Sequence, residues 1–219
     1  MKSPARWKLP ILLAAVALAA MQPALASFTY PLSSEAIREA YFLGKRNDEQ
    51  TAAFFVKYVH SLPAPQSGPY VAAIGIDTPF SSIVRHVETT SDEYHAQEAE
   101  QEFLGKPTTF GLFVQIDFTA SFPDPSQFSP HGTNAVVMPA FWQDFKIRLK
   151  QDHEIKPVSV MAGPTYSDVG PVDQYGFSGA EVDLDYDPAE IDAASPLTVD
   201  VLTPDGQDVQ TTFDLAQLR

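Results

Sequence analysis

Leu112, Val114, Ile116 and Phe118 occupy every second position of one stretch, with Phe113, Gln115 and Asp117 between them. Side chains of a strand point alternately to its two faces, so this stretch must lay one row against an apolar interior and the other against different surroundings. The same period recurs downstream. Phe145, Ile147 and Leu149 alternate with Lys146, Arg148 and Lys150, and Val182, Leu184 and Tyr186 alternate with acids. The basic row suits an exposed or edge strand, and the turn around Asp152 and His153 predicts residues 157–161 as its hairpin partner. Residues 197–202 and 209–213, joined by Thr203-Pro204-Asp205-Gly206, form the clearest hairpin of the chain. Strands at this spacing, punctuated by Gly and Pro, predict a sandwich or open barrel over residues 109–219.

The chain before Thr109 has another rhythm. Ser33 is placed to cap a helix, with Leu32 and Ile37 at hydrophobic-staple spacing and Glu35 on the positive end of the helix dipole. Ile37, Ala40, Tyr41 and Gly44 follow helical spacing, Lys45 and Arg46 suit the last carbonyls, and Gly44 reads as the stop. Asn47 offers a second cap with Gln50 three residues on, and Phe55, Tyr58, Val59 and Leu62 make one apolar stripe before Pro63. Residues 70–76 read as a buried strand and 83–87 as another. Thr90-Ser91-Asp92-Glu93 has capping-box form and opens a helix expected to run to Leu104, closed by Gly105 and Pro107. The fold class expected is therefore α+β, with N-terminal helices packed on a mainly antiparallel, β-sandwich-like C-terminal part. Residues 27–108 form the helix-rich part with one or two strands, and residues 109–219 form the β part, the two packed as one unit.

Residues 1–26 have the form of a cleavable leader. Lys2, Arg6 and Lys8 precede an apolar run, and Ala24-Leu25-Ala26 before Ser27 fits the small-residue cleavage pattern. Export to the periplasm or the outside is the expectation, with no stable membrane insertion after cleavage, because the run is shorter than the roughly 20 residues of a membrane span. Cleavage takes three cations from 14, leaving 11 against 28 acids, a net charge of −17. That balance disfavours nucleic acid and anionic lipid as partners. No cysteine is present, so disulfides and thiolate chemistry are excluded.

No nucleophile elbow, phosphate loop or cofactor fingerprint stands out, and no cofactor is expected. Glu181, Asp183, Asp185, Asp187, Glu190 and Asp192 suggest calcium, but an EF-hand read from Asp183 would need Gly and Glu where Pro188 and Ala194 stand. Strand alternation and an Asp187-to-Glu190 capping box account for these acids without a metal. His95, Glu98 and Glu102 share one flank of the expected third helix, and Ser178 lies in a near-elbow whose last glycine is replaced by Ala180. The stretch 163–179, read as a long loop, sets Tyr166, Tyr175 and Phe177 beside Asp168, Asp173 and Gln174. Rings beside hydrogen-bonding groups suit a glycan or a peptide, so Tyr166, Asp168, Asp173 and Tyr175 are the candidate ligand-binding residues, with no metal ligands assigned. These features favour a non-enzymatic binding or assembly module of the cell envelope whose partner is an envelope protein or a glycan. The alternatives are an envelope hydrolase with paired carboxylates and a calcium-dependent adhesion module.

Overall fold

The computed structural model describes residues 28–66, 68–118, 140–168 and 175–219, without the side chains of residues 167, 168, 175 and 176. The leader and its cleavage site, Asp173 and Gln174 fall outside the described residues.

Two helices open the described chain. Helix α1 spans Ser34–Arg46 and is capped by Ser33, whose hydroxyl accepts the Ala36 N–H. It passes through Gly44 and ends at Asn47, which adopts a left-handed backbone at φ 41°. The expectation that Gly44 stops the helix is therefore corrected. A Cβ on Gly44 would lie 2.5 Å from the Val84 carbonyl oxygen, so this glycine is where α3 (Pro79–Thr89) approaches. Helix α2, Glu49–Phe55, is capped by Asp48 rather than Asn47, with Asp48 Oδ1 accepting from the Gln50 and Thr51 N–H groups. The stripe from Phe55 to Leu62 is not one helix. After a short 3-10 turn, Val56–Tyr58, the chain extends into strand β1, Val59–Ser61.

Two further corrections concern helices. Residues 83–87 are not a strand but the middle of α3, which starts on a reciprocal cap between Thr78 and Ser81 with Pro79 in its first turn. Phe80, Ile83, Val84 and Val87 are its buried stripe, at helical rather than strand spacing. The helix expected from Thr90 is shorter. Helix α4 spans Ala96–Phe103 and begins at His95, whose N–H donates to Glu98 Oε2 at 2.7 Å. Helices α1, α3 and α4 enclose their own apolar cluster around Ile37, Tyr41, Ile83 and Val84, and Phe54 and Phe55 bridge it to the main interior.

Nine strands among the described residues make two antiparallel sheets. The first has the order β1-β2-β3-β7-β6, with β2 Pro69–Asp77, β3 Phe110–Phe118, β6 Ser159–Asp168 and β7 Tyr175–Tyr186. The second has the order β5-β4-β8-β9, with β4 Lys146–Lys150, β5 Glu154–Ile155, β8 Leu197–Leu202 and β9 Asp208–Phe213. Period-two alternation sets the inner face. Leu112, Val114 and Ile116 of β3 and Val182, Leu184 and Tyr186 of β7 pack with Leu149, Val199 and Val201 of the second sheet. The fold is thus α+β, with N-terminal helices and a two-layer antiparallel β body. Strands β1 and β2, from before Thr109, pair into the same sheet as β3.

Strand pairing corrects the sequence once more. The hairpin after β4 involves only Leu149 with Ile155 and Lys150 with Glu154. The chain then leaves the second sheet, and β6 pairs with β7 in the first from Ser159 opposite Asp185 to Asp168 opposite Tyr175. Most of the stretch 163–179, expected as a loop, is therefore the two arms of a β6–β7 hairpin. No helix among the described residues is long and apolar enough to cross a membrane.

Candidate functional site

Strand β6 is the last strand of its sheet, and among the described residues nothing pairs with its outer edge. Ten residues of main chain run along that edge. Edges of this length normally carry charge, a bulge or a cover, because unpaired N–H and C=O groups recruit other strands. Here the guard is slight. Pro164 and a register shift between Thr165 and Tyr166 lie toward one end, while residues 159–163 read Ser-Val-Met-Ala-Gly with no charged side chain. Val160 is 57 % exposed and Met161 64 %.

Inward of this edge the two sheets, among the described residues, do not close. The shorter second sheet leaves the inner side of β6 open, and a groove of about 600 Å³ runs between Trp142, Phe145 and Ile147 on one wall and Val160, Ala162 and Leu184 on the other. Behind Trp142 and Phe145 further rings gather: Phe141 touches both and meets Phe177 edge-on at 5.9 Å, and Tyr166 meets Phe177 at 6.0 Å. The groove is largely apolar, with Gln143 and Lys146 also in its lining, and a main-chain edge that is unpaired among the described residues lies beside it. Such a pairing of features takes an extended polypeptide, whose backbone uses the edge and whose alternate side chains use the groove.

The outer face of the same sheet is acidic. Register sets Asp77, Gly111, Asp185 and Ser159 in one row across β2, β3, β7 and β6, and Phe113, Asp183 and Met161 in the next. Gly111, without a side chain, leaves a trough of about 240 Å³ flanked by Asp77, Asp183 and Asp185. Asp77 Oδ1 accepts from Arg85 Nε at 2.9 Å and from the Ser81 hydroxyl at 3.0 Å, and Asp185 Oδ2 accepts from the Ser159 hydroxyl at 2.6 Å. Burial, together with the negative charges of Glu181, Asp185 and Asp77, holds the Asp183 carboxyl above its ordinary range.

The sign of a pH effect follows. An acid whose folded value is raised opposes folding when ionised. Below the ordinary value of 3.8 Asp183 is protonated whether folded or not and costs nothing; the cost appears as pH rises through the raised value and is complete above it. Asp183→Asn is therefore expected to raise the melting temperature near pH 7 and to leave it unchanged near pH 3. A lower melting temperature at neutral pH would show that the carboxylate supports the sheet. Asp200 has the opposite sign: its hydrogen bond from Lys150 lowers its value, so its contribution is present above 3.8 and fades as pH falls.

The residues singled out by sequence separate in space. Tyr166 lies on β6 with its ring against Phe177, 52 % exposed. Asp168 and Tyr175 are paired main-chain positions at the far end of the β6–β7 hairpin, with their side chains outside the described atoms, as is all of Asp173. His95, Glu98 and Glu102 do not converge. His95 and Glu98 form the cap of α4, while Glu102 Oε2 accepts from the Tyr94 hydroxyl at 2.7 Å and lies 3.8 Å from His86 Nε2. Ser178 is a mid-strand residue whose hydroxyl meets Thr165 Oγ1 at 3.3 Å. The acidic run divides likewise. Glu181, Asp183 and Asp185 stay on the sheet face, whereas Asp187 and Asp192 cap turns through the N–H groups of Ala189 and Ala194. Among the described residues no group of three or more His, Asp or Glu side chains is arranged to hold a metal ion.

The groove at β6 was missed by sequence reasoning. Its one signal is the uncharged, apolar stretch Val158 to Gly163 directly after the basic strand β4 and the Glu154–Lys156 pair. Compared with models of known protein families, with curated proteins and with solved structures, the chain matches none.

Proposed function

We propose that this protein is an exported, non-enzymatic binding module of the cell envelope that captures an extended segment of another protein by adding it as a strand to β6. The observation that carries this reading is the outer edge of β6, unpaired among the described residues, whose Val160 and Ala162 line a largely apolar groove of about 600 Å³. Main-chain bonds along the edge supply affinity that does not depend on the partner's sequence, and the groove selects apolar residues at alternate positions. Trp142 offers the broad apolar surface that commonly anchors such contacts. The leader-like first 26 residues support the location.

The test is selection of random displayed decapeptides against the wild-type protein, followed by affinity measurement on Val160→Glu. That substitution sets a carboxylate in the groove wall at a position already 57 % exposed, so the fold is expected to melt as before. Covering that carboxylate with an apolar side chain costs desolvation, which Lys146 in the same lining offsets only in part, so a loss of affinity of about tenfold is expected. Selected peptides that bind the variant as tightly as the wild type would place the capture surface elsewhere.

A second reading has one observation in its favour. The raised Asp183 carboxyl beside the trough at Gly111 has the character that the acid of a paired-carboxylate glycoside hydrolase would need. Its neighbours Asp77 and Asp185 are occupied by Arg85, Ser81 and Ser159, which favours the binding reading.

A further inference from the structure

We infer that the segment captured at β6 alternates apolar with basic residues, the basic ones lying on the acidic outer face of the sheet. This inference rests on the strand-addition reading and names the partner's chemistry.

The geometry is that of any strand added to a sheet. Its side chains point alternately to the two faces, so every second residue of the newcomer looks into the groove and the others lie beside Ser159, Met161 and Gly163. Those three outer positions of β6 stand opposite Asp185, Asp183 and Glu181 of β7. Arg85 pairs with Asp77, but none of Glu181, Asp183 and Asp185 is ion-paired among the described residues. One strand beyond β6, the partner is about 10 Å from β7, two interstrand spacings away. Gly163 leaves the path across β6 bare: a Cβ there would meet nothing within 4 Å. The four-carbon stem of a lysine on the added strand therefore lies over Gly163, with its ammonium directed at Glu181. Asp183, held protonated more readily than usual by burial and then by its acidic neighbours, is relieved of part of that repulsion by the same cation.

Charge also selects against a second copy of this chain. Two β6 edges paired about a twofold axis would join two acidic faces into one continuous sheet, and the whole sequence carries a net charge of −14. A basic-apolar strand from another protein meets complementary charge on one side and an apolar groove on the other.

Four capped decapeptides test this on the full-length protein: valine alternating with lysine, with threonine and with glutamate, and a block peptide with its lysines and valines segregated. Affinity is read by fluorescence anisotropy and the binding position by hydrogen exchange of the β6 amides. The valine–lysine peptide is expected to bind at least tenfold tighter than the valine–threonine peptide and to slow exchange along β6. The glutamate and block peptides are expected to bind weakest. Glu181→Gln should reduce valine–lysine affinity severalfold and leave valine–threonine affinity unchanged. Equal binding of the lysine and threonine peptides, with no effect of Glu181→Gln, overturns the basic requirement and leaves strand addition standing. Equal binding of the block peptide overturns the alternation. If no peptide protects β6, the strand-addition reading and this inference fall together. A concentration-dependent dimer abolished by Val160→Glu overturns the inference in favour of a second copy as the occupant.

Discussion

Phe110→Ala is expected to lower the unfolding free energy by about 3–5 kcal/mol, measured by denaturant titration. Phe110 opens β3 with no exposed surface, and its ring stands edge-on to Phe28 at 5.8 Å and 85°. Across the strand pair it faces Tyr186, itself fully buried, and the same cluster takes in Leu149 and Val199 of the second sheet. Rigid strands on both sides keep the site from collapsing into the space left by a ring, so the cavity cost adds to the lost burial. Phe55 provides the contrast. Its ring is only half-buried and lies under the Arg85 guanidinium at 4.3 Å, so Phe55→Ala should cost clearly less. Equal losses at the two positions would mean that the two apolar clusters are more tightly joined than the packing shows.

Gly44→Ala should destabilise, against the usual rule. Inside a helix, alanine is favoured over glycine by about 1 kcal/mol. Here the added carbon would lie 2.5 Å from the Val84 carbonyl oxygen and 2.9 Å from Val87 Cβ. The first of these is main chain and cannot rotate aside, so α1 and α3 must separate around Ile37, Ile83 and Val84. The expected loss is about 1–3 kcal/mol, typical of overpacking, read as a drop in melting temperature. A gain would show that the helices sit farther apart than this contact requires.

Gly44 illustrates how sequence reading divides into what local chemistry fixes and what it leaves open. The start of α1 was legible because Ser33 acts on its own first turn, and the faces of β3 and β7 were legible because period two survives any choice of partner. Gly44 was read as a helix stop because its local meaning and its packing meaning use the same residue type, and only α3 decides between them. Residues 80–87 misled differently: Ile83 and Val84 favour strands by propensity, whereas the cap at Thr78 and the burial of Phe80, Ile83, Val84 and Val87 belong to a helix. The groove at β6 was least legible of all. The turn near Asp152 is real, but whether residues 159–168 continue that hairpin or cross to another sheet depends on β7, which follows later in the chain. Tyr166 stands on a strand rather than a loop, its ring against Phe177.

The sheet order also governs the timing of assembly. Strand β7 is the bridge between β3 and β6, yet it is the last of the five to leave the ribosome. Until residue 186 has been synthesised, β2 and β3 end in an open ladder and β6 has nothing to pair with. A nascent chain of this design carries unsatisfied strand edges until β7 is complete, so its first sheet closes late.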